Sequence, residues 1–251
     1  QISRRKAIFI VGTTGVGKTK LSIQLAHRYD GEIINADAMQ MYKGLNVATA
    51  KATMEEREGV PHHLLDFVDP QKEITIHEFH DLAVKTIDDI CSRGKLPIIV
   101  GGTHYYIQSL IWDSLLAIST TTPEEDSLDD LPTEKLYARL QEVDPDNTQH
   151  PNQRKRILAD LRLFAQTGVP PSQLRRQQNA ERNPQEQLDN VVVWLSCGEG
   201  TLRKRLDARV DSMVRHGLLE ENAQFVRRFI AGSDLQRGVW QAIGLKEFLP
   251  L

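Results

Sequence analysis

The sequence predicts an α/β fold, a parallel and doubly wound sheet interrupted by a helical insertion. Three observations predict it. Short apolar runs alternate with longer stretches of helical spacing. A glycine-rich segment, Gly12-Thr13-Thr14-Gly15-Val16-Gly17-Lys18-Thr19, follows the first apolar run and opens a helix. The β-type runs then stop between Trp112 and Asn190 and resume beyond it.

Residues 7–11 (AIFIV) are a buried strand, because the run is too short for a helix and ends in glycine. Residues 18–29 place Leu21, Ile23, Leu25 and Ala26 at helical spacing. Asp30-Gly31 turns the chain into a second strand, residues 32–36 (EIINA). An amphipathic helix over 76–90 stops near Gly94, and residues 97–100 (PIIV) form the next strand. Ser119–Pro123 is a Ser/Thr/Pro-rich break, after which 132–142 and 152–166 read as helices. Residues 191–195 (VVVWL) return to strand, and 201–215, 218–230 and 239–248 read as helices. The chain therefore divides into an α/β core, 1–113 with 190–251, and a helical insertion over 114–189.

Composition narrows the class. Of 251 residues, 40% are hydrophobic and 26% charged, as in an ordinary globular protein. No apolar run approaches the roughly 20 residues that span a bilayer, so no membrane association is expected. Cys91 and Cys197 stand far apart without metal-ligand spacing, which suits structural thiols in a reducing compartment. The start at Gln1 rather than Met leads to the expectation of a trimmed leader. A cytoplasmic site, with mitochondrial or nuclear pools, is compatible with all of this. The net charge of -3 gives no global bias toward nucleic acid. Locally, acids dominate from Glu124 to Asp146, whereas Arg154, Lys155, Arg156, Arg162, Arg175, Arg176 and Arg182 make the following stretch basic. Both a solvated helix face and a phosphate-binding surface fit that distribution.

Residues 12–19 match G-x-x-x-x-G-K-[ST] in the strand-to-helix context that the motif requires, so the core is P-loop NTPase-like. Successive N–H groups can turn inward there, at the positive end of a helix, and form an anion nest. Lys18 adds a point charge and the Thr19 hydroxyl suits a Mg²⁺ ligand. Whether a diphosphate or a triphosphate is held stays open at this level. The second strand runs into Asn35-Ala36-Asp37-Ala38-Met39-Gln40-Met41-Tyr42, with its carboxylate at the edge of the sheet where open α/β folds bind ligands. His62-His63 resembles a metal pair only superficially, since neighbours in extended chain point to opposite sides.

The P-loop and the Asp37 segment together resemble the tRNA dimethylallyltransferase (isopentenyltransferase) family, in its eukaryotic, fungal-like form. Its pattern is a P-loop followed by D-S-x-Q-x-Y. The likeness continues through Thr49-Ala50-Lys51, Gly59-Val60-Pro61-His62-His63 and Gly101-Gly102-Thr103-His104-Tyr105-Tyr106. It resumes at His150-Pro151-Asn152, Arg209-Val210-Asp211-Ser212-Met213, Gly217–Glu221 and Gln241–Phe248.

The resemblance implies transfer of a dimethylallyl group from dimethylallyl diphosphate to the exocyclic amine of an adenosine beside the tRNA anticodon, by a monomer using Mg²⁺. It assigns Thr14, Gly15, Val16, Gly17, Lys18, Thr19 and Arg209 to the diphosphate, with Thr19 on the metal. It makes Asp37 the base and puts Thr103 near the reacting groups, where its position also suits a helix N-cap. Ala38, Met39, Gln40 and Gln241, with Asp37 and Thr103, then line the tRNA side, and Arg154, Lys155 and Arg156 clamp RNA phosphates.

A related branch prenylates free adenine nucleotides to make cytokinins. The GGTHYY form of residues 101–106, the Lys246-Glu247 pair and the long insertion favour tRNA. Leu158, Ala159 and the Thr-Ala-Lys form of residues 49–51 depart from the family's usual residues and bear on single RNA contacts. Eukaryotic members carry a C-terminal zinc finger, and this sequence stops at Leu251, so the expectation is a shortened or a differently continued chain. A P-loop small-molecule kinase and a nucleotide-gated RNA-binding module are the readings from other classes. A kinase lacks an evident arginine-rich lid here, and a pure binder needs no carboxylate beside the cradle.

Overall fold

The computed structural model describes residues 6–111, 128, 131–180, 189–235, 237–245 and 247. By Cα packing the chain forms two compact units, Gln1–Asp113 with Glu186–Leu251, and Ser114–Gln185.

In the first unit the elements are β1 (Lys6–Gly12), α1 (Lys18–Tyr29), β2 (Gly31–Asn35), a 3₁₀ turn (Met39–Met41), β3 (His62–His63), α2 (Ile76–Ser92), β4 (Leu96–Val100) and α3 (His104–Ile111). The second unit supplies α4 (Thr133–Val143), α5 (Arg154–Thr167) and α6 (Pro171–Ala180). The first then resumes with β5 (Asp189–Leu195), α7 (Glu199–Arg215), α8 (Leu218–Phe229) and a 3₁₀ turn (Gly238–Gln241). All strand pairs are parallel, in the order β3-β2-β4-β1-β5.

Strand alternation explains why the sheet is covered on both faces. Phe9, Val11, Ile34 and Ile99 point to one side, into a core with Phe79, Ala83, Ile87 and Ile90 of α2 and with Tyr106, Ile107 and Leu110 of α3. Ile10, Ile33, Ile98 and Val100 point to the other, against Ile23 and Ala26 of α1. The period of two in the strands and the helical stripe on each helix thus describe the same two interfaces. A stacked Phe79–Tyr106 pair, centroids 4.0 Å apart, joins α2 to α3. The second unit has its own core of Leu128, Leu136, Leu140, Ile157, Leu158 and Leu161.

Two sequence expectations need correction. Residues 239–248 do not read through as a helix within the described residues. The 3₁₀ turn ends at Gln241, the backbone of Ala242 after it is extended (ψ 131°), and Gly244 is left-handed at φ 92°. The second correction is α6, for which no helix was expected. It starts at Pro171, a residue whose fixed φ and missing N–H suit the first helical position. Among the described residues no helix is long and apolar enough to cross a membrane, and both cysteines are free thiols.

At the edge of the sheet away from the P-loop, Glu32 is buried to 3% exposure and accepts hydrogen bonds from Arg93 Nη2 at 2.8 Å and His63 Nε2 at 2.7 Å. Lys95 Nζ lies 3.3 Å from the same carboxylate. The Arg93 hydrogen bonds, opposed by burial and reinforced by His63 and Lys95, hold its pKa at about 2 against an ordinary 4.5. A depressed carboxylate contributes stability that is complete above about pH 4.5 and is lost as the pH falls toward 2. The depth of that loss is at most roughly 3 kcal/mol at 1.36 kcal/mol per unit. Glu32→Gln should remove this component, so that stability measured by urea unfolding declines less between pH 4.5 and 2. An unchanged acid limb would refute it.

Candidate active site

The P-loop joins β1 to α1. Gly17 is left-handed at φ 107°, and a side chain there would meet nothing within 4 Å. A left-handed residue at this place in a strand-to-helix loop suits an anion nest, and Val16 N donates to Thr13 O at 3.4 Å within the loop. Val16 is buried and its carbonyl accepts from Arg205 Nη1 of α7 at 3.2 Å, while Gly15 lies against Leu206 of the same helix. Thr14 and Thr19 are exposed. Lys18 Nζ donates to Gly12 O at 2.8 Å and Thr13 O at 3.0 Å, so the ammonium is held within the loop. Burial lowers its pKa, attraction to Asp37 raises it, and Arg209 lowers it. Arg209, read from sequence as a diphosphate ligand, therefore acts electrostatically on the P-loop lysine. Arg205 and Arg209 lie four residues apart on α7 and face the same loop.

Asp37 leaves the end of β2, two strands away from the P-loop. Its backbone is clasped by Asn35, whose Oδ1 accepts from Asp37 N at 3.1 Å and whose Nδ2 donates to Asp37 O and Leu64 O, both at 3.0 Å. One carboxylate oxygen, Oδ1, accepts from Met39 N at 3.0 Å. The other, Oδ2, faces Gly102, where a Cβ would stand only 3.4 Å away. Thr103 does open α3, but its hydroxyl accepts from Ala38 N at 3.0 Å across the site rather than capping the helix. Thr103 N in turn donates to Ala36 O at 3.1 Å. The Ala38–Thr103 hydrogen bond thus holds Thr103 beside the turn that carries Asp37.

Met39 and Gln40 follow in the 3₁₀ turn, against which residues 238–241 pack, and Gln241 is exposed there. Gln40 Nε2 donates to Thr49 O at 3.0 Å. Gln40 also lines a cavity of about 30 Å³ with Thr19, Ser22, Asn35 and His62. His62 and His63 face opposite ways, as expected. His62 Nδ1 meets Val60 O at 2.8 Å, whereas His63 reaches Glu32.

In the second unit Arg154, Lys155 and Arg156 form the first turn of α5, which holds no acidic residue. Arg154 Nη1 donates to Leu131 O at 2.6 Å, so it ties α5 to the segment before α4. Lys155 and Arg156 are exposed.

The family model described as IPP transferase matches residues 40–251. This chain belongs to the IPP transferase family. It is 40% identical over 256 residues to the tRNA dimethylallyltransferase of Saccharomyces cerevisiae, covering 98% of this chain and 59% of that one. The Homo sapiens tRNA dimethylallyltransferase is 36% identical over 266 residues, with 96% and 56% covered. A solved eukaryotic dimethylallyltransferase acting on tRNA superposes with a TM-score of 0.86 at 38% identity, over 98% of this chain and 63% of that one. The tRNA delta(2)-isopentenylpyrophosphate transferase of Staphylococcus epidermidis gives 0.65 at 36%, over 98% and 80%. The chain spans under three fifths of the length of these yeast and human relatives.

The sequence reading gave no role to Asn35, Lys51 or Glu221. Asn35 had a signal, an Asn two residues before the Asp at a strand end, which is an Asx turn in waiting. Lys51 and Glu221 stood only inside segments that resemble the family, and the partners of Glu221 lie on a distant segment.

The two glycines after β4 generate a prediction. A Cβ on Gly101 would lie 2.1 Å from both the carbonyl carbon and the oxygen of Ala36, a backbone collision that cannot relax without moving β2. Gly101→Ala should cost about 3 kcal/mol or more, whereas Gly102→Ala makes an ordinary contact and should cost well under half of that. Urea unfolding of both variants checks this, and equal losses would contradict it.

Proposed function

We propose that this IPP transferase moves a dimethylallyl group from dimethylallyl diphosphate to the exocyclic N6 amine of an adenosine 3′ of a tRNA anticodon. The observation that carries the reading is the single edge of sheet that joins a P-loop, the carboxylate of Asp37 and the hydroxyl of Thr103. The tRNA-acting relatives support it further.

The chemistry follows from charge. N6 attacks the allylic carbon, the N–C bond forms, and the C–O bond breaks with its electron pair going to diphosphate. Negative charge grows on the leaving group, so the loop N–H groups, Lys18 and Arg209 stabilise the transition state more than the ground state. The amine is a poor nucleophile because its lone pair is delocalised into the ring. Asp37 Oδ2 accepts the N6 proton while Met39 N holds Oδ1 in place. Thr103 keeps Ala38, and with it the turn that carries Asp37, against α3.

Mg²⁺ would neutralise diphosphate charge. Among the described residues no three His, Cys, Asp or Glu side chains converge. A cation held by the Thr19 hydroxyl, by diphosphate and by water fits that donor set, since Mg²⁺ keeps several waters. The reading takes the enzyme as a monomer.

For the acceptor, the exposed Lys155 and Arg156 supply charge for an RNA backbone that a free nucleotide lacks. Equal concentrations of anticodon stem-loop and AMP, offered with labelled dimethylallyl diphosphate, decide between them. The stem-loop should take most of the label, and a label found mainly in AMP would replace tRNA by free adenine nucleotide as the substrate. Lys155→Ala with Arg156→Ala should also flatten the salt dependence of RNA binding, by about 0.7 log unit per log unit of salt for each phosphate no longer neutralised. Donor affinity should not change.

Asp37→Asn should lower the single-turnover rate at saturating donor by about 10²–10⁴, with donor binding nearly kept. A loss below tenfold would remove Asp37 from the role of base.

A further inference from the structure

Residues 42–51 form a tight loop next to the acceptor side of the site, and its backbone is not relaxed. Leu45 and Ala50 are left-handed without being glycine, at φ 49° and φ 48°, and Gly44 is left-handed at φ 76°. Such residues persist only where the surroundings over-determine them. Here two charges do so from opposite sides.

Lys51 is buried, with 3% of its side chain exposed. Its ammonium donates to Tyr42 O at 2.5 Å, to Gly44 O, to Asn46 Oδ1 at 3.2 Å and to Asp66 Oδ1 at 2.5 Å. Burial lowers its pKa and Asp66 raises it. A buried cation with four oxygen partners is strongly directional, because losing any partner leaves charge unsolvated. From the other side Glu221, in the first turn of α8, accepts from Val47 N at 3.0 Å and from Ala48 N at 2.9 Å. The loop's carbonyls are gathered on a cation and its amides on an anion.

The loop's exit then fixes Gln40. Its amide nitrogen donates to Thr49 O at 3.0 Å and lies 3.4 Å from Ala50 O. Two carbonyls on one end dictate how the carboxamide is turned, since an oxygen there would face two acceptors. The carboxamide oxygen is the end left to meet a donor, and Gln40 shares its cavity with Thr19. The Gln40 main chain is held too, by Asp66 N donating to its carbonyl at 3.0 Å, and Asp66 is the carboxylate that Lys51 grips.

We propose that Lys51 and Glu221 are positioning residues for the acceptor, which act by clamping residues 42–51 so that Gln40 presents its carboxamide oxygen to an N–H donor of the bound base. This rests on the acceptor being a nucleobase, as proposed above. Neither residue touches the donor side in the structure.

The test is a kinetic cycle on the full chain with Lys51→Met, Gln40→Ala and the double variant, and stem-loop RNA as acceptor. Lys51→Met should raise the acceptor KM about tenfold and leave the donor KM within about twofold, the split expected when acceptor binding alone is impaired. In the Gln40→Ala background it should add less than about twofold, because coupled residues are not additive. A merely structural role predicts otherwise, with both substrates affected together and the two effects multiplying. Glu221→Gln, on a half-buried side chain, should act in the same direction and decides the matter if Lys51→Met does not fold.

Amide exchange gives a readout that needs no acceptor. Val47 and Ala48 should exchange faster in both clamp variants, while dimethylallyl diphosphate protects the P-loop as in the parent. Unchanged exchange at 47–48, or an unchanged acceptor KM, overturns the clamp. A parent enzyme that prenylates no RNA at all would instead overturn the assigned function, and the two failures are separable.

Discussion

The backbone of Gly101 lies against the carbonyl of Ala36 with no room for a methyl group between them. This approach fixes the ends of β2 and β4 in one plane, with Ala36 N donating to Val100 O at 2.8 Å and Thr103 N donating back to Ala36 O. Sheet order does the rest. Because β4 lies between β2 and β1, the P-loop after β1 and the Asp37 turn after β2 flank the Gly-Gly step, and each is within reach of a ligand placed over it. A parallel sheet guarantees only that loops share an edge. The close approach at Gly101 determines which groups on that edge face each other, and so turns an edge into a site.

The electrostatics of the site follow from the same placement. Lys18 feels both Asp37 and Arg209, so two cations and one carboxylate occupy a half-buried space. The proposed reaction asks the cationic side to hold a diphosphate and the anionic side to take a proton. These are opposite demands on one small region, and they are compatible only if the carboxylate cannot swing onto the lysine. Asn35 and Met39 prevent that by holding the Asp37 backbone and one of its oxygens. The loop is preorganised in the sense that matters for catalysis, since its dipoles need not reorient as charge moves.

How much was legible in the sequence depends on how far apart the interacting residues are. The P-loop, helices α1, α2, α4, α5, α7 and α8, and every strand except β3 follow from local period and glycine punctuation. Thr14 to Thr19 could be read as a cradle because all of its parts lie within one turn of chain. The two-residue strand β3 was beyond reach, since pairing by His62 and His63 alone leaves no periodic trace. The supposed last helix failed for the reverse reason. Residues 239–245 have apolar spacing that suits a helix, but Val239, Trp240, Ala242 and Leu245 are buried through a 3₁₀ turn and an extended residue. The helical spacing was real and the local geometry was not helical.

The P-loop and the Gln40 side of the site differ in the same way. The groups of the P-loop are local, whereas the clamp on residues 42–51 is assembled from Lys51, Asp66 and Glu221, the last of which reaches back across 174 residues of sequence to Val47. Charge placement in the second unit carries a comparable message. Three cations open α5, at the end of a helix where the backbone dipole is already positive, and each exposed one costs a few tenths of a kcal/mol there. Arg154 escapes the conflict by binding the carbonyl of Leu131. Lys155 and Arg156 have no acid in that turn to offset them, although Arg156 Nη1 donates to Gln153 Oε1 at 3.3 Å. A polyanion at the same helix end reverses the sign, because the dipole and both side chains then attract one phosphate backbone together. A placement that is unfavourable in the protein by itself is thus the one that the RNA contact proposed for this turn uses.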